Sequence, residues 1–160
     1  MDAFEIRPAR AEEAPAISAL VLTVFEACVA PHYGAEGRAT FGHEAAPEAI
    51  ASRLAQPRKD GHRALVACAA EDGRPIGYLE VEKSHIRELF VAGPYQRRGI
   101  ARALLARAFE GREREEVTVN AAPYSVEAYT RLGFKPAGPR ATINGLTFRP
   151  MVRCAAQAKS

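Results

Sequence analysis

The segment Gln96-Arg97-Arg98-Gly99-Ile100-Ala101-Arg102 sets paired arginines and a glycine where an apolar run passes through Gly93-Pro94 into a helical pattern. The first turn of a helix presents amides without intrahelical partners and about half a unit of positive charge. A glycine there lets a ligand approach the backbone, and neighbouring arginines add charge-assisted hydrogen bonds. A phosphate or pyrophosphate is the guest such a helix start suits. The plainer reading is a loop that needs a turn and a helix that needs a polar beginning. No Gly-Lys-Ser/Thr follows, which excludes a Walker loop, and the spaced glycines of a dinucleotide fingerprint are missing.

Periodicity supplies the elements that must position this segment. Phe4–Arg7 alternates as a strand, and Ile17, Leu20, Val21, Val24 and Cys28 recur at helical spacing, predicting an amphipathic helix over 11–28. Residues 31–46 carry three glycines, two histidines and two aromatics without a period, and read as a long loop. Pro47 opens a short helix with Ile50 and Leu54 on one face. Strands follow over 64–69, 75–82 and 84–91, the first two joined through the hairpin signal Asp72-Gly73. Ile100, Leu104 and Ala108 mark the next helix, 117–120 a buried strand, and 124–132 a short helix closed by Gly133. Strands over 134–137 and 141–153 complete the chain, with Asn144-Gly145 a tight turn or a bulge. Hairpins followed by strand–helix–strand–helix predict an α/β (α+β) domain with a mixed sheet and helices on its faces.

Bulk properties narrow the class. The chain has 160 residues, 48% hydrophobic and 26% charged, and is expected to form one domain over 1–160. Its net charge of +3 is spread along the chain and is not a nucleic-acid signature. Three cysteines, Cys28, Cys68 and Cys154, form neither a disulfide framework nor a zinc pattern, so buried, unreactive thiols in a reducing interior are expected. No signal peptide is legible, and the apolar stretch Ile17–Ala30 reads as too short and too interrupted to span a bilayer. The expectation is a cytoplasmic protein that binds neither membrane nor metal.

Two blocks carry a resemblance. Leu89-Phe-Val-Ala-Gly-Pro-Tyr-Gln-Arg-Arg-Gly-Ile-Ala101 is followed, about twenty residues on, by Val119-Asn-Ala-Ala-Pro-Tyr-Ser-Val-Glu-Ala-Tyr-Thr-Arg-Leu-Gly-Phe134. In this order and at this separation they resemble the GNAT superfamily of acyl-CoA-dependent N-acetyltransferases, and the ending Asn144–Met151 is similar to one bacterial subgroup of unknown substrate. The resemblance covers nearly the whole chain and is weakest over 31–46. It implies a mixed, mostly antiparallel sheet of about seven strands with about four helices. It also implies a splayed parallel strand pair whose gap receives acetyl-CoA as cosubstrate, without a metal.

The resemblance also implies roles. Gln96, Arg97, Arg98, Gly99, Ile100, Ala101 and Arg102 would hold the pyrophosphate. Leu89, Phe90 and Val91 would meet the pantetheine arm through their backbone, with the Leu89 amide aimed at the thioester oxygen. Asn120 and Ser125 would contact the same arm, although a strand-end Asn and a first-turn Ser also serve as caps. Tyr129 aligns with the tyrosine that protonates the departing thiolate; a phenol with pKa of about 10 is suited to donate, and equally suited to pack in a core. His85 and Glu80 are alternative bases, each with an ordinary structural reading, and water is a third acceptor for the proton. His32, Tyr33, Phe41 and His43 are candidates for the acceptor site or simple surface residues.

The leading expectation is acetyl transfer to a primary amine, on a small molecule or a protein, by direct attack in a ternary complex. The alternative is a non-catalytic acyl-CoA-binding sensor or interaction module, for which Tyr129 has no use. A nucleic-acid reading of Arg97, Arg98, Arg102 and Arg107 is opposed by the acidic run 113–116 and by the lack of an aromatic-interleaved basic stripe. A homodimer is left open.

Overall fold

In the computed structural model, which describes residues 3–56 and 61–155, the chain begins with β1 (Phe4–Pro8). A helix then starts with a turn over Ala11–Glu13 and continues as α1 (Ala14–Val24). It widens into a π-helical turn over Phe25–Val29 and ends in a tight turn over Ala30–His32. This stretch of 22 residues, mean hydropathy 1.7, is longer than the periodicity indicates and is long and apolar enough to cross a membrane. Half of it is buried in the fold, where Ile17, Val21 and Phe25 pack as core.

Two helices follow, α2 (Ala35–Glu44) and α3 (Pro47–Ala55). The first corrects the expectation of a loop over 31–46. With three glycines over 34–42 and no apolar stripe, α2 lacks the pattern by which an amphipathic helix is recognised. Tertiary contacts described below hold it. Strands β2 (His62–Ala69), β3 (Pro75–Glu82) and β4 (His85–Val91) form an antiparallel run, the first turn closed by Gly73 at φ 73°. Then come α4 (Ile100–Ala108), β5 (Val117–Ala121), α5 (Val126–Arg131), β6 (Lys135–Pro136), β7 (Ala141–Ile143) and β8 (Leu146–Arg153). Asn144 (φ 52°) and Gly145 (φ 78°) make a two-residue turn, which divides the expected last strand in two.

The sheet order is β1-β2-β3-β4-β5-β8-β6, with β7 on β8. Every pairing is antiparallel except β4–β5. That parallel pair is short, only His85 opposite Thr118 and Ile86 opposite Val119, and beyond it the strands part. One face of the sheet packs Leu79, Val81, Ile86 and Val119 against Ile100, Leu104 and Leu105 of α4, and against Tyr129 and Phe134. The other packs Val66, Cys68 and Tyr78 against Ile17, Val21 and Ile50 of α1 and α3. Among the thiols only Cys68 is buried; Cys28 is half-buried and Cys154 exposed, against the expectation for all three.

Two bulges decide which side chains meet. Between Ala67 and Cys68 the register skips Ile76, so Glu80 shares its face with Tyr78 but not with Ile76. On β4, Glu80 lies opposite Glu88 while Val81 lies opposite Ile86, leaving Arg87 as the extra residue. Ile86 and Leu89 therefore face the same core, and Glu88 and Phe90 turn to the opposite side.

Candidate active site

A cleft of about 1020 Å³ opens where β4 and β5 part. Its backbone is prepared by strand geometry. The Ala92 amide donates to the Ile76 carbonyl at 2.9 Å. Amides alternate along a strand, so that of Phe90 turns toward β3, while those of Leu89 and Val91 turn into the gap. The Val91 carbonyl on that side is capped by the Gln96 side chain, Nε2 to O 3.0 Å. Gln96 thus ties the strand end to the loop that follows it.

That loop is an anion nest. Arg97 (φ 64°) and Gly99 (φ 84°) both adopt the left-handed conformation, which aims successive amides into one concavity. Gly99 is the N-cap of α4, whose first turn has neither a capping side chain nor an acidic residue. A Cβ at Gly99 would meet nothing within 4 Å, so the space beside Gly99 is open. Arg98 lies over the Tyr95 ring at 5.7 Å, and Arg102 donates to the Arg131 carbonyl at 3.1 Å. Arg97, Gly99, Ala101, Arg102 and Arg131 line this end of the cleft. Ile100 also borders it but is itself buried in the core. Glu127 also lines the cleft but is paired to Arg131 at 2.7 Å, and the left-handed turn with the uncapped helix start fits a diphosphate.

Across the gap, α5 brings Tyr129 to the cleft, its ring edge-on to Phe134 at 5.4 Å. The Tyr129 hydroxyl has no hydrogen-bond partner among the described residues. Burial, and secondarily the charge of Glu88, push its pKa well above the usual phenol range. Asn120 and Ser125 also line the cleft. Ser125 occupies the N-cap of α5 without making a capping bond, which leaves its hydroxyl free of that duty. The Phe90 ring faces the other way, edge-on to Phe41 at 5.8 Å.

The two bases read from the sequence fare differently. His85 reaches the cleft, but its Nδ1 is hydrogen-bonded to Thr118 Oγ1 at 2.8 Å, and burial lowers its pKa. Glu80 does not line the cleft. It is fully buried, and its carboxylate accepts from Arg53 Nε at 3.0 Å and from the Tyr78 hydroxyl at 2.8 Å. These partners hold the carboxylate inside the fold, away from the cleft.

A residue not anticipated takes that position. Glu88 lies in the cleft, 6% exposed, without an ion pair or hydrogen bond among the described residues. Burial first, then the neighbouring Glu80 charge, push its pKa up to about 8 from an ordinary 4.5. Strand alternation counted from Ile86 puts Glu88 on the α4 face; only the Arg87 bulge turns it into the cleft. A carboxyl group poised between its two forms near neutrality is the usual signature of proton-transfer work.

The far half of the cleft is lined by Phe25, Tyr33, Phe41 and Glu44 from the first half of the chain and by Leu146 and Phe148 from the β7–β8 hairpin. Phe25 and Phe41 stack at 3.9 Å. Tyr33 Oη donates to the Thr147 carbonyl at 2.9 Å, and Thr40 Oγ1 to the Asn144 carbonyl at 2.8 Å. Gly37 and Gly145 touch backbone to backbone, where a Cβ on either would overlap the other. These contacts make a helix of α2. Of the four loop candidates, Tyr33 and Phe41 reach the cleft, while His32 and His43 are not part of its lining. Among the described residues no three His, Cys, Asp or Glu side chains are grouped to hold a metal ion.

A mixed sheet opened at a parallel pair, with an anion nest at one end of the opening, defines a transferase of the acyl-CoA-dependent kind. The chain belongs to the acetyltransferase (GNAT) domain family, whose model matches residues 29–154, and it is an acyl-CoA-dependent N-acetyltransferase. In fold it is similar to the GCN5-related N-acetyltransferase from Rhodopseudomonas palustris (TM-score 0.76, 23% identity, 96% of this chain and 97% of that one). It is also similar to the PaiA N-acetyltransferase from Thermoplasma acidophilum, a structure in complex with coenzyme A (TM-score 0.76, 19% identity, 95% and 99%). YjaB from Escherichia coli has a TM-score of 0.72 at 22% identity (96% and 99%). Among curated proteins no match is found.

Proposed function

We propose that the protein transfers the acetyl group of acetyl-CoA to a primary amine held on the α2 side of the cleft, with Glu88 as the base and Tyr129 as the acid. The observation that carries this is the placement of two titratable groups, Glu88 and Tyr129, without hydrogen-bond partners among the described residues, on the walls of one cleft. Bound acetyl-CoA would supply the thioester carbon that is attacked and the sulfur that leaves.

The nest at 97–102 holds the pyrophosphate, and the edge of β4 takes the pantetheine arm through Leu89 and Val91, as though a strand were added. Asn120 and Ser125 contact the same arm. The Leu89 amide, turned into the gap, stabilises the carbonyl oxygen as it gains charge. An alkylammonium with a pKa of about 10 must first lose a proton. To an ordinary carboxylate that transfer is uphill by about six pK units, or about 8 kcal/mol, and to Glu88 at about 8 by only about two units. Glu88 takes this proton. The amine's second proton is lost as the amide forms, and Tyr129 delivers one to the sulfur as the C–S bond breaks. The net release is one proton, and both side chains return to their starting forms.

His85, tied to Thr118 at the closed end of the gap, would position the strand pair and not carry the proton. The three free thiols support the cytoplasm as its place.

The test is free-thiol release from acetyl-CoA with a panel of amines, wild type beside Tyr129→Phe. Amine-dependent release that falls about 100-fold in the variant, with acetyl-CoA affinity within twofold, is expected. Equal turnover in the variant removes Tyr129 from the mechanism.

A further inference from the structure

Resting on that reading, we propose that the acceptor is a small monoamine with a compact aromatic or cyclic apolar body, bound as a cation and enclosed rather than presented on an extended chain. Three observations carry this. The first is the ring cluster: Phe25 stacked on Phe41 at 3.9 Å, Tyr33 at 5.9 Å from Phe25, and Phe90 at 5.8 Å from Phe41, with Leu146 and Phe148 in the facing wall. Phe25 is itself core and backs the cluster, while the half-buried rings of Tyr33, Phe41 and Phe90 can cover an apolar body and favour a cation beside them.

The second is charge. Glu44 and Glu82, both exposed, line the same cleft, and Glu88 lies deeper in it, where burial keeps it largely neutral until a bound ammonium favours its ionised form. On this side the guanidinium among them is Arg87, which lies 3.6 Å from Glu80 and 3.9 Å from Glu82 and is engaged by both. An amine carrying its own carboxylate would bring that group into a wall whose exposed charges include Glu44 and Glu82. A polyamine would leave further ammonium groups among the rings, at the desolvation cost of an unpaired charge.

The third is the join between α2 and the hairpin. The Tyr33–Thr147 and Thr40–Asn144 hydrogen bonds and the Gly37–Gly145 contact close the line between them, although the cleft stays open elsewhere. An extended peptide needs an open trough across that line.

Calorimetry with the full-length protein saturated with coenzyme A tests this directly. 2-Phenylethylamine should bind at least tenfold more tightly than 2-phenylethanol, spermidine, phenylalanine or a lysine-bearing hexapeptide. The same amines in the thiol-release assay should follow that order in kcat/KM. Phe41→Leu, which keeps an apolar side chain but removes the ring, should lower kcat/KM for 2-phenylethylamine about tenfold, and for ethanolamine less than threefold. Preferential binding of spermidine, the amino acid or the peptide overturns the proposal. So does equal affinity for the alcohol and the amine. Tight binding of 2-phenylethylamine with no thiol release from any amine leaves this assignment standing and overturns the catalytic reading beneath it.

Discussion

The two halves of the cleft are built on different principles. The half at 89–102 works through backbone: an amide row on a splayed strand, two left-handed residues and an uncapped helix start. The half around α2 works through side chains drawn from three distant stretches, 25–44, 88–90 and 146–148. A backbone site tolerates changes of side chain and fails when φ or access changes. A side-chain site fails residue by residue, and its specificity drifts accordingly.

The sharpest break between the halves should come at Gly99. Gly99→Glu places a carboxylate before the nest and a side chain at φ 84°, and should weaken acetyl-CoA about 1000-fold by calorimetry. Amine affinity, measured separately, should hardly move. Next, Glu88→Gln should cut turnover about tenfold at pH 7 while leaving acetyl-CoA binding intact. Wild-type kcat/KM for an alkylamine should rise through pH about 8, and the variant should lack that limb.

The same substitution reads out in stability. Because the Glu88 pKa is raised in the folded state, the unfolded chain gives up this proton first as pH increases. Stability is full below about 4.5, falls between there and about 8, and is level above. Glu88→Gln should therefore match wild type in thermal melts at pH 4 and exceed it at pH 8, by an amount on the order of several kcal/mol. A variant no more stable at pH 8 would mean that Glu88 is not held neutral by burial. The smallest effect is expected at the seam: Thr40→Val removes the hydroxyl that the Glu36 and Asn144 carbonyls share, costs about 1 kcal/mol in denaturant unfolding, and raises acceptor KM a few-fold without touching acetyl-CoA.

This division also explains what can be read from residue order. Gly99, the arginines and Gly133 mark local conformations, and local conformation is carried by neighbouring residues. The strand order and the parting of β4 from β5 accompany that signal. Glu80 was anticipated as a base and Glu88 was not, because one bulged residue, Arg87, reverses the alternation on which a count of faces depends. Helix α2 escaped for a related reason: its cohesion comes from a hairpin about a hundred residues away, and nothing in 35–44 repeats at 3.6. Tyr129 was legible both as a proton donor and as a core ring, but the burial of its hydroxyl end was not, since burial is a property of the packed whole.

The Gly37–Gly145 contact reaches beyond this molecule. Two backbones that close can be inherited only if both positions stay without a side chain, so the glycines must persist or be lost together. Descendants and cousins of this chain should fall into two lineages. Those with the pair intact would keep helix and hairpin joined along one wall of the cleft and compete for compact amines. Those with either glycine replaced would hold helix and hairpin apart, and so be free to explore larger acceptors.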